Sequence, residues 1–250
     1  MQPRGAAWLL AALVAPGLLA ACDSLSRAPD DRPETARDFP RPDRPVAPII
    51  STRWSTEEAR DRVNEAEEIM DKAGIAPGMT VADIGAGEGY YTVRLARRVG
   101  PEGRVLGQDI IAEVIDALGR RVTRENWENV SVKLGTPDDP KLPDGSFDRI
   151  FMVHMYHEIT EPYAFLWRLY PALKRQGQVI VVDTDRPTDQ HGTPPALLRC
   201  EFEAVGFRLL SMDAQTAAGG YLARFVQGGH RVEPGDIQVC RAARPATRRP

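Results

Sequence analysis

The chain is poor in the residues that build metal ribbons: three cysteines and four histidines in 250 residues, with no two cysteines spaced for a zinc finger. It also lacks a net charge of any size, because 32 Lys and Arg stand against 35 Asp and Glu. A balance of −3 excludes a general attraction to nucleic acid, and no nucleic-acid partner is expected. The locally basic Arg241, Arg244, Arg248 and Arg249 read as a solvated tail. An unbroken apolar run of about 20 residues, as a membrane span needs, is missing too. The stretch that comes nearest, Gly5 to Ala21, is interrupted at Pro16-Gly17. No internal repeat is visible, which excludes a solenoid. What is there, 42% hydrophobic and 27% charged residues, is the composition of one ordinary core with some attached sequence.

The attached sequence comes first. "MQPRGAAWLLAALVAPGLLAAC" has a basic start at Arg4 and a short apolar stretch, the pattern of a secretory signal over residues 1–21. Its end, Leu19-Ala20-Ala21-Cys22, resembles the lipobox of bacterial lipoproteins, which implies cleavage before Cys22, acylation of that cysteine and membrane attachment through the lipid. The expected location is the bacterial cell envelope, facing the periplasm. Asp23 points to retention at the inner membrane if the enteric rule applies. Residues 22–48 are rich in Pro, Asp and Arg and almost lack aliphatic side chains, so a disordered tether is expected, with a propeptide as the alternative. Outside the cytoplasm the two remaining cysteines, Cys200 and Cys240, either pair or stay as separate thiols; both readings stand.

The folded part opens with Ser55-Thr56-Glu57-Glu58, a helix-start pattern with Trp54 before it. Ala59, Val63, Ala66, Met70 and Ala73 then predict one helix over 56–73. Strands are predicted at 80–84, 104–109, 130–134, 147–155 and 178–185, and helices at 90–99, 111–125 and 195–205. A further helix starts at Pro162, carries Phe165, Leu166, Leu169 and Leu173 on its apolar face, and is followed by Gly177. Two last strands flank Gly219-Gly220. This alternation predicts an α/β fold, a mostly parallel sheet with helices on both faces.

In such a sheet the ligand site lies at the carboxyl ends of the strands, beside the point where strand order reverses. The first strand runs into "VADIGAGEGYYT", where Gly85, Gly87 and Gly89 form a G-x-G-x-G turn. Carboxylates beside the turn, Asp83 and Glu88, do not suit a pyrophosphate. They suit a ligand carrying ammonium and sulfonium charges, such as S-adenosylmethionine.

The stretch 81–110 resembles the cofactor-binding half of class I S-adenosylmethionine-dependent methyltransferases. The segments "LPDGSFDRIFMVHMYHEI" and "LYPALKRQGQVIVVD" extend the resemblance over roughly residues 56–227. It implies the doubly wound, Rossmann-like fold of that family with an antiparallel C-terminal strand, a methyltransferase domain over 49–227 and a C-terminal extension over 228–250. It also implies Asp109 on the ribose hydroxyls, Gly85, Ala86 and Gly87 against the methionine moiety, Asp83 supporting its charged end, and Ile110 and His154 beside the cofactor. Where the family often has Gly-Asp after the third strand, this chain has Gly135-Thr136, and Asp138 is expected on the adenine amino group instead.

Methyl transfer from a sulfonium needs alignment more than a nucleophilic residue. If the acceptor needs a base, His157, Tyr156 and then Glu158 are the candidates, with His191 shaping the acceptor pocket. A metal site on His154, His157 and Glu158 is set aside, and no metal is expected. The methyl acceptor is a small molecule or a protein. Two rival readings are a non-catalytic envelope lipoprotein that keeps the fold for a ligand or partner, and a nucleotide-dependent oxidoreductase. Asp83 and the absent third-glycine spacing disfavour the latter. An envelope location conflicts with the expected scarcity of S-adenosylmethionine outside the cytoplasm.

Overall fold

A computed structural model describes residues 30–49, 56–214 and 219–241. The expected signal segment, Cys22, Trp54 and Ser55 lie outside them. Seven strands form one sheet: β1 Thr80–Ile84, β2 Arg104–Asp109, β3 Val130–Leu134, β4 Phe147–Val153, β5 Leu173–Asp183, β6 Phe207–Ala214 and β7 Tyr221–Gln227. Their spatial order is β3-β2-β1-β4-β5-β7-β6. All neighbours through β5 are parallel, and β7 runs antiparallel between β5 and β6. Strand order therefore reverses between β1 and β4, which places the ligand crevice where their carboxyl ends diverge.

Alternation along the strands builds two cores. Ala82, Ile84, Ile150, Met152, Val179 and Val181 face one side and pack with α5 (Pro162–Leu169) and α6 (Pro195–Val205). Val81, Phe151, Ile180 and Val182 face the other, against α2 (Glu65–Lys72) and α3 (Tyr90–Val99). Thus β5 is apolar on both faces, as a central parallel strand should be. The remaining helix beside these, α4 (Ala112–Arg124), follows β2.

Two predicted helices differ from the expectation. The one over 56–73 is split into α1 (Glu57–Arg62), capped by the Thr56 side chain, and α2, because Asn64 takes a left-handed turn with φ 55°. Val63 is consequently half exposed, while Ala66, Met70 and Ala73 stay buried. The helix from Pro162 ends at Leu169, and Leu173 already belongs to β5, paired with Phe147. Pro171 explains the early stop, since proline lacks the N–H that the next helical turn requires.

The larger correction concerns the tether. The compact unit starts at Arg32, and the described part of residues 32–48 lies on the domain rather than off it. Ala36 and Phe39 enter the first core, with Phe39 edge-on to Trp167 at 5.6 Å. The segment's arginines do the rest. Arg32 forms a forked pair with Glu161, and Arg44 pairs with Glu201 at 2.9 Å, both side chains fully enclosed. A low aliphatic content rules out a core of its own, yet not a strap that completes one built elsewhere. Residues 228–240 are likewise held rather than trailing: Val232 accepts from Trp167 and donates to Val205, and Ile237 is buried.

Cys200 of α6 and Cys240 are joined in a disulfide, which settles the open alternative. It closes a 40-residue separation, for which the loss of unfolded-state entropy amounts to about 3–4 kcal/mol. Cys240→Ser is expected to lower the unfolding free energy from urea titration by that margin, with a lower midpoint, under oxidising conditions and to match wild type in excess reductant. An unchanged midpoint would show that the C-terminal segment is held by its other contacts alone.

Candidate active site

A cavity of about 930 Å³ opens at the carboxyl ends of β1, β2 and β4. Its floor is the glycine turn, Gly85 to Glu88. Gly85 has φ +68°, and a Cβ there would lie 2.9 Å from the Met155 Cγ, so backbone strain and crowding both demand glycine. Gln108, Asp109 and Ile110 form one wall, and Val153, His154 and Met155 another.

Asp109 orders this floor as well as lining it. Its Oδ2 accepts from the Gly87 amide at 3.1 Å, and its Oδ1 accepts from Ile110 and Ile111 at 2.8 and 3.1 Å. A carboxylate has about four acceptor sites, so capacity remains on the cavity side. Beside it, the buried Nε2 of Gln108 has no hydrogen-bond partner among the described residues. That nitrogen is sealed against Gly135, behind the wall rather than in the cavity.

His154 holds a left-handed backbone with φ 55° just past β4, and its amide donates to the Val182 carbonyl. Burial lowers its pKa, so it presents a neutral imidazole. Opposite stand Tyr90 and Arg60, the guanidinium 3.9 Å from the ring centre and salt-bridged to Glu65. Ala47, Pro48 and Ile49 of the strap close the upper side, with Ile159 and Phe165. None of these last five was identified as a site residue from sequence, and the strap residues carry no periodic signal that could have found them.

Four expectations are corrected by placement. Asp138 does not line the cavity. Its carboxylate accepts from the Thr35 and Thr136 hydroxyls and pairs with Arg168, which, despite burial, hold its pKa below the usual value. Only Pro137 of that loop reaches the wall. Tyr156 and His157 are turned away as well. Residues 156–158 form a 3-10 turn, in which side chains three apart share a face, so Met155 and Glu158 look into the cavity while the two between them do not. Tyr156 donates to Glu201 at 2.7 Å, and burial, reinforced by that carboxylate, raises its pKa well above the ordinary value. His157 sits 3.1 Å from both oxygens of Asp183. Of the candidate bases, Glu158 alone borders the cavity. His191 does not; its ring meets His157 edge-on, centres 5.4 Å apart.

Asp83 lies beneath the turn, fully buried, accepting a 2.6 Å hydrogen bond from Thr92. It supports the floor from behind rather than lining it.

The sequence comparisons agree with this geometry. Residues 75–225 match the profile of a family described as a methyltransferase domain. The chain belongs to that family. As a member, this methyltransferase-family chain takes S-adenosylmethionine as its cofactor, and the acidic Asp109 and the glycine turn fit it. Among curated proteins it is 27% identical over 121 residues to a demethylmenaquinone methyltransferase of Listeria monocytogenes, covering 48% of this chain and 51% of that one. It is 30% identical over 132 residues to an arsenite methyltransferase of Halobacterium salinarum, covering 51% and 34%. The chain thus spans about half or less of the length of these relatives. A solved S-adenosylmethionine-dependent methyltransferase from Aquifex aeolicus shares the fold, with a TM-score of 0.60 and 22% identity over 68% of this chain and 98% of that one.

Burial, with the nearby Asp109 charge, pushes the Asp83 pKa up to about 6, against the Thr92 hydroxyl and Arg60, which pull it down. The protonated form therefore fits the fold better than the carboxylate. Its stabilising contribution is complete below the ordinary value of 3.8 and is lost as pH rises through about 6. Asp83→Asn should gain on wild type as pH rises from about 4 to about 7, by on the order of 3 kcal/mol. Paired thermal melts across that range check it, and a difference independent of pH would refute the assignment.

Proposed function

We propose that the protein is an S-adenosylmethionine-dependent methyltransferase that modifies a small-molecule or protein acceptor and is held in the bacterial envelope by a lipid on Cys22. The observation that carries the catalytic part is the joining of Asp109, the glycine turn and the β4 end in one cavity at the strand-order reversal. Bound there, S-adenosylmethionine supplies an electrophilic methyl group. Asp109 has acceptor capacity for ribose hydroxyls, Gly85 and Gly87 let backbone come close, and the neutral His154 adds no positive charge near a sulfonium.

With Tyr156 and His157 facing elsewhere, the chain's work is alignment, desolvation and, through Glu158, removal of an acceptor proton where one must leave. Met155, Ile49, Ile159 and Phe165 make part of the cavity apolar, which supports an acceptor with an apolar portion. The printed names of the relatives span quinone and arsenic chemistry, so they do not select one. The Cys200–Cys240 bond supports an oxidising compartment, in line with the signal-like N-terminus. Withdrawal of the two expected bases is what favours the second reading, an envelope protein that binds through this fold without catalysis.

Calorimetric titration of S-adenosylmethionine into the full chain separates the cofactor question from fold. Micromolar binding, weakened at least tenfold by Asp109→Ala, is expected; no binding by a folded sample would favour the non-catalytic reading. For the anchor, metabolic labelling with a palmitate analogue should mark wild type and be lost in Cys22→Ala. Label that persists in that variant would rule out acylation of Cys22.

A further inference from the structure

Behind the cavity wall, the segment after β4 and the loop after β5 bring His157, Glu158 and His191 together, one ligand atom from each within 4.8 Å of the others. The donors differ in kind from a surface acidic cluster. His157 is buried, Glu158 and His191 are half-buried, and two imidazoles with one carboxylate are the borderline set that suits zinc and its neighbours rather than calcium or magnesium.

An independent observation bears on the same point. Asp183, fully buried at the end of β5, takes a hydrogen bond from the Thr184 amide at 2.8 Å and one from the Thr193 hydroxyl at 2.7 Å. A carboxylate so placed can only accept, so the Nδ1 of His157 carries the proton toward it. That fixes the tautomer and leaves Nε2 with its lone pair, the arrangement in which carboxylates orient histidine ligands. Thr193 is fixed in turn by Tyr221, whose hydroxyl donates to its carbonyl at 2.7 Å.

We propose that His157, Glu158 and His191 form a binding site for a divalent first-row transition cation, with zinc as the fitting ion and Asp183 as the group that orients His157. Zinc bonds of about 2.0–2.1 Å place tetrahedral ligands about 3.4 Å apart, so binding requires the set to close by at most about 1.4 Å. The His191 loop can supply this, being a short turn at residues 188–190 that ends at His191 in a left-handed conformation. Three protein ligands leave a coordination position open. Because Glu158 also borders the methyl-transfer cavity, the ion would sit at its wall, where an acceptor oxygen could reach it.

Cobalt and zinc serve as probes on the full chain after dialysis against a chelator. One equivalent of Co²⁺ should give the visible bands of a four-coordinate site, and Zn²⁺ should bleach them. His191→Ala, a change at a half-buried loop position, should weaken zinc binding at least tenfold in competition with a chromophoric chelator. Asp183→Asn should weaken it about 10–100-fold, and the exposed His230→Ala should not change it. Melting curves of each variant establish that it is folded. Absence of the cobalt bands in folded wild type, or zinc binding unchanged in His191→Ala, would overturn the site. Neither readout involves S-adenosylmethionine, so the site is tested apart from cofactor binding; with the cation in place Glu158 is a ligand rather than a base, and the ion takes over the task of lowering an acceptor's proton affinity.

Discussion

The ion pair between Arg44 and Glu201 ties the N-terminal strap to the body of the domain. Both side chains are wholly enclosed, and the pair is extended by Tyr156, which donates to the other Glu201 oxygen, and by the Ile159 carbonyl, which accepts from Arg44. A charge buried this deeply without its partner costs about 3–5 kcal/mol, so neither residue is tolerable alone. The consequence is architectural. A proline-rich segment is pinned across the domain, α6 is oriented beneath it, and the strap residues that follow Arg44 become a wall of the cavity. Arg32 and Glu161 repeat the device nearer the start of the strap, at the beginning of α5.

The sheet and the glycine turn were legible because their signals are local. Strand alternation at Val81 to Ile84 and at Val179 to Val182 needs no partner to be recognised, and the turn's glycines answer to backbone angles that only they adopt cheaply. Asp109, at the last position of β2, was expected in the site from the family resemblance, and the end of the strand carries it to the cavity wall. The strap was illegible for the opposite reason. Its value lies in charges that meet carboxylates 129 and 157 residues away, and composition counts side chains without their partners.

The segment after β4 shows a subtler limit. His154 to Glu158 had the right residues in the right region, but their facing was decided by a 3-10 turn that sequence periodicity over five residues does not reveal. Two of the three expected bases were consequently spoken for by buried carboxylates: Glu201 for Tyr156, Asp183 for His157. Asp138 was lost from the site in the same way, to Arg168 and two threonines. In each case a polar side chain in a half-buried place found a partner within the fold, which is the ordinary fate of such groups.

The Gly87 amide resting on Asp109 has a thermodynamic side. One carboxylate holds the floor of the crevice in shape and also faces the space a ribose would fill. Occupancy and loop order are then two readings of a single equilibrium. Whatever stiffens the turn before a ligand arrives tightens binding, and a bound ligand stiffens the turn to the same degree, because coupling between the two must be reciprocal.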